Sequence, residues 1–326
     1  MRILVTGAGG FAGRHLINKL SEESGAEIFG TYHTRPPGDD LPGKHYRVAL
    51  ENHGDVSALV SDIRPDEVYH LAAVSFMPDA MKNRLKAYET NVAGGISLLE
   101  ALSVNSPESR FLYTSSADVY GKIDPSENPV TEEHPAEPQN AYAATKLCFE
   151  IICGQYAKDS GLHIVIARPF NHTGPGQDEK FVAPAFAMQI ARIEAGLIEP
   201  VMVTGNLDAE RDFTDVRDVV ASYSDMLRKG GNGGVYNVCS GKAVQIKHIL
   251  DTLLGMSSMA GIKHEIDPAR VRPAENPRVY GSFQKLEKLT GWRPSMPLKR
   301  TLENLLEDCR LRIKIKTPVD YQAFKR

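Results

Sequence analysis

The feature that most constrains the fold is a glycine-rich turn near the start of the chain. Residues 6–13 read TGAGGFAG; they follow an apolar run, Arg2–Thr6, and open a helix-like segment. Glycine permits a tight turn and lets the backbone approach a phosphate at the positive helix N-terminus. The spacing is GxxGxxG rather than GxGxxG, and a glycine-rich turn without a ligand is the alternative. Its position between strand and helix favours a dinucleotide site, and the predicted contact residues are Gly7, Gly10, Phe11, Ala12 and Gly13.

Short apolar runs alternate with helix-like segments through the first half of the chain. Such alternation is typical of right-handed βαβ units. We therefore predict an α/β fold: a doubly wound parallel sheet of the Rossmann type, with a smaller mixed C-terminal lobe. The predicted strands are Arg2–Thr6, Glu27–Thr31, His45–Ala49, Glu67–Leu71, Arg110–Thr114 and Leu162–Ala167. The predicted helices here are Phe11–Glu23, Val56–Ile63, Lys82–Val104 and Ala141–Lys158.

The second half of the chain is less regular and is broken by glycine-rich turns. We expect residues 1–167, with about 210–240, to form the dinucleotide-binding domain. Residues 168–209 and 241–326 would form a substrate-binding lobe over the carboxyl ends of the sheet. Further helices are predicted at Phe181–Glu194, Val216–Arg228, Val244–Leu254 and Leu298–Asp308.

Composition argues against several kinds of partner. A formal net charge of -3 over 326 residues gives no basic field to follow a phosphate backbone, so we expect no nucleic acid. No apolar run approaches the roughly 20 residues that span a bilayer, and the start MRILVTGAGG leaves no room for a signal peptide. The cysteines lack the paired spacing of a zinc site. We expect a reduced, cytoplasmic protein without a metal or a membrane partner.

The end of the second predicted strand bears on the choice of dinucleotide. NAD sites place an acid here for the ribose 2′-hydroxyl, but the chain reads Thr31-Tyr-His33-Thr34-Arg35. A carboxylate would repel the 2′-phosphate of NADP, whereas Arg35, with His33 and Thr34 beside it, can hold that phosphate. NADP(H) is favoured and NAD(H) stays possible; a solvated loop arginine is the alternative.

Tyr142 and Lys146 lie four residues apart, on one face of a predicted helix. The pKa of a tyrosine hydroxyl is about 10. An ammonium one turn away, together with an oxidised nicotinamide, lowers that pKa. The pair can exchange a proton with a hydroxyl or carbonyl while the nicotinamide exchanges hydride. YxxxK alone is weak, but this one follows the fifth predicted strand. That strand ends near Ser116, which can hydrogen-bond the reacting oxygen or merely form the turn.

Six phrases occur in order: TGAGGFAG at 6–13, HLAA at 70–73, TNVAG at 90–94, SSADVYG at 115–121, YAATK at 142–146 and RPFN at 168–171. Together they resemble the extended short-chain dehydrogenase/reductase family, whose members act on nucleotide-diphosphate sugars. FNHTGPGQ at 170–177 and RDFTDVRD at 211–218 are most similar to the reductases of its GDP-mannose branch. The resemblance implies NAD(P)H-dependent reduction of GDP-4-keto-6-deoxy-D-mannose at C4, giving GDP-D-rhamnose.

The resemblance also implies roles for individual residues. Tyr142, Lys146 and Ser116 would form the catalytic group, and Asn91 would organise a proton path or simply pack its helix. Further cofactor contacts would be Thr31, Leu71, Ala72, Ala73, Thr114, Pro169 and His172. The substrate would contact Ser75, Ser116, Asn171, Val182, Arg211, Arg272 and Glu275. For the arginines, surface or internal ion pairs, including one between Arg211 and Asp212, are equally compatible with the sequence.

Asp118 leaves the reaction open. In GDP-mannose 4,6-dehydratases a glutamate at the matching position removes water across C5 and C6, and Asp118 is one methylene shorter. The dehydratase is therefore the first alternative, and a turn-capping role for Asp118 is another. A 4-epimerase and a non-catalytic dinucleotide-binding protein are the remaining alternatives. The helices predicted at Lys82–Val104 and Ala141–Lys158 match those of the family's dimer interface, which implies a homodimer.

Overall fold

A computed structural model of the chain describes residues 1–268 and 276–316. Its strands are β1 (Arg2–Thr6), β2 (Glu27–Tyr32), β3 (Lys44–Arg47), β4 (Glu67–His70), β5 (Arg110–Thr114), β6 (His163–Pro169), β7 (Asn171–Thr173), β8 (Val201–Thr204), β9 (Glu210–Asp215), β10 (Gly234–Val238), β11 (Ala243–Gln245), β12 (Lys263–Ile266) and β13 (Arg278–Val279). Its α-helices are α1 (Phe11–Ser21), α2 (His53–Ile63), α3 (Met77–Lys82), α4 (Arg84–Tyr88), α5 (Gly94–Asn105), α6 (Ala141–Asp159), α7 (Val182–Glu194), α8 (Val216–Lys229), α9 (Ile246–Leu254), α10 (Gln284–Thr290) and α11 (Leu298–Lys316).

A seven-stranded sheet in the order β10-β6-β5-β4-β1-β2-β3 forms the larger part of the molecule. Every ladder in it is parallel, so the carboxyl ends of the strands meet at one edge. At that edge Thr6 aligns with Thr31 on one side and His70 on the other. The predicted α/β fold with a doubly wound parallel sheet is confirmed.

Helices cover both faces of this sheet. Helices α1, α8 and α10 pack on one face, and α2, α5 and α6 pack on the other. In α8 the buried apolar residues recur at helical spacing, which explains why this segment folds as a helix against the sheet. Its buried apolar residues are Val216, Val219, Val220, Tyr223, Met226 and Leu227. Burying one aliphatic side chain of this size contributes roughly 1.5–3 kcal/mol.

Two smaller sheets lie in the second half. Strands β11, β9, β13 and β7 form one, and β12 pairs with β8 in the other. Helices α7, α9 and α11 share a separate apolar core there. By contrast, β10 belongs to the large sheet and α8 to the layer of helices that covers it, while β9 belongs to the four-stranded sheet. None of the helices in the described ranges combines the length and apolarity needed to cross a membrane.

The helix predicted at Lys82–Val104 is present but starts two residues later: residues 84–105 are helical throughout, as α4, a π-helical turn and α5. Asn83 leaves the helical region, with φ -134° and ψ 78°, and its side chain accepts a hydrogen bond from the Lys86 amide. This cap ends α3 and starts α4, and a π-helical turn at Glu89–Ala93 leads into α5. Other differences concern ends: β11 occupies the start of the helix predicted at Val244–Leu254, and α11 runs beyond Asp308 to Lys316.

Gly95 lets α5 approach α6 closely, and this contact generates a stability prediction. A Cβ at Gly95 would collide with the ring of Phe149, which is fully buried and packs edge-on against Tyr113 with ring centroids 4.7 Å apart. We expect Gly95→Ala to lower the free energy of unfolding by about 1–3 kcal/mol. Gly154 of α6 faces open space, so Gly154→Ala should raise it by about 0.5–1 kcal/mol. Urea unfolding followed by circular dichroism measures both; a neutral Gly95→Ala would contradict the packing argument.

Candidate active site

The glycine-rich turn is built for close backbone contact. Gly7 has φ +76°, and a Cβ there would lie 2.9 Å from the Ala72 amide nitrogen. A Cβ on Gly13 would collide with the Gly7 carbonyl oxygen. Gly10 precedes α1 in an extended conformation and adds no side-chain cap to its first turn. The amides of an uncapped helix N-terminus bind anions, so the turn fits the pyrophosphate of a dinucleotide.

A buried threonine joins this turn to the loop after β4. The Thr6 hydroxyl lies 2.8 Å from His70 Nδ1 and accepts a hydrogen bond of 3.1 Å from the Ala72 amide. Burial lowers the pKa of His70 to about 3, with the Lys146 charge acting in the same direction, so the imidazole is neutral. The half-buried segment Leu71–Ala73 is thereby held beside the glycine-rich turn.

The residues after β2 divide into a buried and an exposed group. Thr31 is buried, and its carbonyl accepts a hydrogen bond of 2.9 Å from the Ala8 amide. His33 and Arg35 are exposed, and Arg35 lies 3.5 Å from Asp178. The Arg35 carbonyl also packs on Gly9, where a Cβ would collide with it. The Arg35 side chain therefore starts next to the glycine-rich turn.

Tyr142 and Lys146 lie in the first turns of α6. Asn140 caps this helix by accepting a hydrogen bond from the Ala143 amide. Lys146 Nζ donates a hydrogen bond of 2.7 Å to the Thr114 carbonyl at the end of β5 and lies 5.9 Å from the centre of the Tyr142 ring. Burial lowers the pKa of Lys146 to about 8, while the charge of Glu150 opposes this shift. The ammonium is thus fixed beneath the tyrosine.

Ser116 and Asp118 meet Tyr142 from the end of β5. Ser116 caps a 3₁₀ turn, Ala117–Tyr120, by accepting a hydrogen bond of 3.2 Å from the Asp118 amide. Burial raises the pKa of Tyr142, the Asp118 charge adds to this, and hydrogen bonding with Ser116 opposes it. We expected Lys146 to lower this pKa, but the pKa is raised, and burial is the largest cause. The phenol is therefore protonated and suited to donate a proton.

Asp118, just after β5, and Arg211, on β9, lie near enough for each charge to shift the pKa of the other. Solvent reaches the Asp118 carboxylate, yet the protein atoms around it displace enough water to raise its pKa, and Arg211 acts in the opposite direction. Arg211 is half-buried on β9 and donates to the Glu210 carbonyl at 2.8 Å. The alternative pairing of Arg211 with Asp212 is wrong: buried Asp212 accepts hydrogen bonds from Ser240, Gly241 and Gly281.

Asn91 acts as a clamp in the π-helical turn. Its Oδ1 accepts from the Val74 amide at 2.7 Å, and its Nδ2 donates to Thr145 Oγ1 at 2.9 Å. Asn91 therefore uses both ends of its amide to hold the β4–α3 loop against α6. Its contact on α6, Thr145, lies three residues after Tyr142. These contacts correspond to the packing role that the sequence left open for Asn91.

The other predicted residues lie around the same edge. His172 stacks on Phe11 with ring centroids 5.9 Å apart, and Pro169 ends β6. Burial raises the pKa of Tyr223 on α8, near Thr114 at the end of β5. Among the predicted substrate contacts, Ser75 and Asn171 are exposed and Val182 begins α7. Arg272 and Glu275 lie outside the described residues.

A buried ion pair behind Lys146 was missed by the sequence reasoning. Arg168 donates to both carboxylate oxygens of Glu150, at 3.0 and 2.6 Å, and its guanidinium lies 4.8 Å from the centre of the Tyr120 ring. Glu150 lies one helical turn beyond Lys146, which is the signal that could have shown it. The pair supplies the charge that opposes deprotonation of Lys146.

Comparisons with known proteins agree with this geometry. The family model described as GDP-mannose 4,6 dehydratase matches residues 4–305. GDP-6-deoxy-D-mannose reductase of Pseudomonas aeruginosa is 38% identical and covers 96% of this chain and 98% of its own length. The structure of RMD from Pseudomonas aeruginosa complexed with NADPH has a TM-score of 0.86 at 35% identity, over 95% of this chain and 99% of that one. UDP-glucose 4-epimerase with UDP-glucose from Thermotoga maritima has a TM-score of 0.86 at 25% identity, over 96% and 100%.

The chain therefore belongs to the extended short-chain dehydrogenase/reductase family. The resemblance inferred from the sequence and the prediction of an NAD(P)-dependent enzyme of this type are confirmed. The residues present also fit the dinucleotide: the glycine-rich turn would hold its pyrophosphate, and Tyr142 and Lys146 would act at its nicotinamide end. When bound, the nicotinamide supplies or accepts hydride.

The pKa of Lys146 predicts how carbonyl reduction depends on pH. Reduction needs the Tyr142 proton and the Lys146 charge, and both are present at low pH and lost as pH rises. Because the pKa of Lys146 is lowered to about 8, we expect kcat/KM to fall above about pH 8. Lys158 is an exposed lysine on the same helix, so Lys158→Met should leave the midpoint of this fall in kcat/KM unchanged. Lys146→Arg keeps its charge at high pH, so the kcat/KM of this variant should not fall in the same range. A wild-type profile level to pH 10 would contradict the assignment.

Proposed function

We propose that this protein reduces GDP-4-keto-6-deoxy-D-mannose at C4, with NADPH or NADH, to give GDP-D-rhamnose. The observation that carries the proposal is the buried, protonated Tyr142 with Ser116 beside its hydroxyl and Lys146 beneath it. A protonated phenol suits reduction, since it can donate to the oxygen that becomes a hydroxyl. The similarity to GDP-6-deoxy-D-mannose reductase supports this choice of substrate.

Each residue then has a defined part in the reaction. Ser116 donates a hydrogen bond to the C4 carbonyl oxygen and holds it next to Tyr142. Tyr142 donates its proton to that oxygen as negative charge develops on it. Lys146, anchored on Thr114, favours the phenolate that remains and orients the cofactor ribose.

Charges in the second half would hold the nucleotide. Arg211 is half-buried, faces the cleft and presents a planar guanidinium, which matches diphosphate oxygens. Asn171 is exposed at the start of β7 and aligns with Phe213 on β9, two residues along that strand from Arg211. We propose that both contact the diphosphate of the GDP-sugar, with Arg272 and Glu275 as further contacts predicted from the sequence.

The dehydratase stays as the second candidate because of Asp118. Its charge acts directly on Tyr142, so its carboxylate lies close enough to the reacting group to be considered as an acid–base. Dehydration needs such a group to remove the C5 proton as hydroxide leaves C6. In the reductase, Asp118 would take no proton from the sugar and would act only through its charge, near Tyr142 and Arg211.

Product analysis separates these functions. With GDP-4-keto-6-deoxymannose, we expect one reduced cofactor consumed per GDP-rhamnose formed, and we expect Tyr142→Phe to lower kcat by at least about 100-fold. Absorbance at the nicotinamide band and chromatography of the sugar nucleotides measure both.

The control is GDP-mannose without added cofactor. If it becomes the keto sugar, and Asp118→Asn abolishes that conversion, the chain is a dehydratase. In a reductase, Asp118→Asn should keep kcat within about tenfold, since no proton passes through that carboxylate.

We also propose that the protein is a homodimer through the helical stretch at residues 84–105, which begins with α4, and through α6. Leu85 on α4 and Ile151 on α6 are 71% and 68% exposed in the single chain. Large apolar side chains as exposed as these suit a surface that a partner covers. Light scattering should give twice the 35.8 kDa chain mass. Ile151→Asp should shift it towards the monomer, while Leu311→Asp, on the exposed surface of α11, should not. A monomeric wild type at micromolar concentration would refute the dimer.

A further inference from the structure

Four alternating charges connect the two sides of the cofactor cleft, and we name them the charged strap: Arg35, Asp178, Lys180 and Asp79. Arg35 Nη2 lies 3.5 Å from Asp178 Oδ2. Asp178 Oδ1 accepts a hydrogen bond of 3.1 Å from the Lys180 amide, and Lys180 Nζ donates to Asp79 Oδ2 at 2.9 Å. The segment between β7 and α7 is thus tied both to the residues after β2 and to α3.

The two ends of the charged strap differ in strength. At the Asp79 end, Lys180 also lies 5.5 Å from the centre of the Phe76 ring, and Phe76 packs edge-on against Phe181 with centroids 5.4 Å apart. This combination of ion pair, cation–π contact and aromatic packing anchors the segment. At the other end, the Arg35 side chain is 69% exposed, and exposed ion pairs are weak. The Arg35 end is therefore the one that a ligand can exchange.

Arg35 is also the residue placed for a ribose phosphate. Its carbonyl packs against Gly9 of the phosphate turn, which fixes where its side chain begins. A phosphate dianion offers the guanidinium two charge-assisted hydrogen bonds and carries more charge than one carboxylate. Asp178 and a 2′-phosphate would therefore compete for the same guanidinium.

We propose that Asp178 is a specificity-determining residue for the dinucleotide: it holds Arg35, and NADP(H) must draw Arg35 away from it, whereas NAD(H) need not. Asp178 thus weakens the binding of NADP(H) and reduces the preference of the site for NADP(H) over NAD(H). The inference rests on the proposed function in one respect, since it takes Arg35 as the group that binds the 2′-phosphate.

The test is direct binding, which needs no sugar substrate. Kd values for NADPH and NADH are measured by nucleotide fluorescence titration of the full chain, for wild type, D178N, D79N, R35Q and the double variant R35Q/D178N. Asn at 178 keeps an acceptor for the Lys180 amide and removes only the charge. D79N is the matched control, because it removes a carboxylate of the charged strap that does not touch Arg35.

We expect D178N to tighten NADPH binding by about two- to fivefold, the effect of one exposed ion pair, and to leave NADH binding nearly unchanged. D79N should leave the ratio of the two Kd values unchanged. R35Q should weaken NADPH binding alone, and in its presence D178N should have no further effect. That last result shows that Asp178 acts through Arg35 and not by general repulsion of phosphate.

Three results would overturn the proposal: an unchanged ratio in D178N, an equal change in D79N, or a D178N effect that persists with R35Q. Product analysis with the GDP-sugar tests the proposed function independently of the role of Asp178. If the ratio shifts as expected but no GDP-sugar is reduced, Asp178 keeps its role and the reaction assignment is wrong. If the chain binds neither nucleotide, both are overturned.

Discussion

The approach of two backbones at Gly7 and Ala72 is the constraint on which the site depends. The carboxyl ends of β1 and β4 lie side by side, so the turns that follow them must pass within van der Waals distance. Thr6 satisfies the buried amide of Ala72 there and uses His70 as its second partner. An unsatisfied polar group at this depth would cost about 1–3 kcal/mol. The glycine turn, the neutral His70 and the loop at residues 71–73 therefore form one unit.

A second unit controls proton transfer, and its charges are layered. Lys146 is buried, which disfavours its charge, and the Thr114 carbonyl and the nearby Glu150 partly offset that cost. Arg168 in turn neutralises much of Glu150 through a two-fold hydrogen bond. The result is an ammonium whose pKa lies near physiological pH, below a phenol whose pKa is raised. Lysine and tyrosine, whose pKa values are similar in water, are thereby moved apart: burial makes the ammonium easier to deprotonate and the phenol harder.

The sequence predicted what depends on local spacing. The glycine turn lies within eight residues of the chain, and Tyr142 and Lys146 lie one helical turn apart, so pattern alone located them. The start of the helix after Asn83 was misplaced by two residues because a single side-chain cap sets it. Strands β7 to β13 were missed because they fall in segments without clear alternation, and all but β9 and β10 are also short. Arg35 and Asp178 are 143 residues apart, so no local pattern could pair them.

Asp118 shows how the two halves together decide the chemistry. It comes from the end of β5 in the large sheet, while Arg211 comes from β9 in the smaller sheet. Across the cleft, Arg211 lowers the pKa of Asp118 and the surrounding protein raises it. A diphosphate bound to Arg211 would offset the charge that lowers the pKa of Asp118, and the carboxyl would then bind a proton more readily. Nucleotide binding in the second half would thus change the protonation of a group in the first, next to Tyr142.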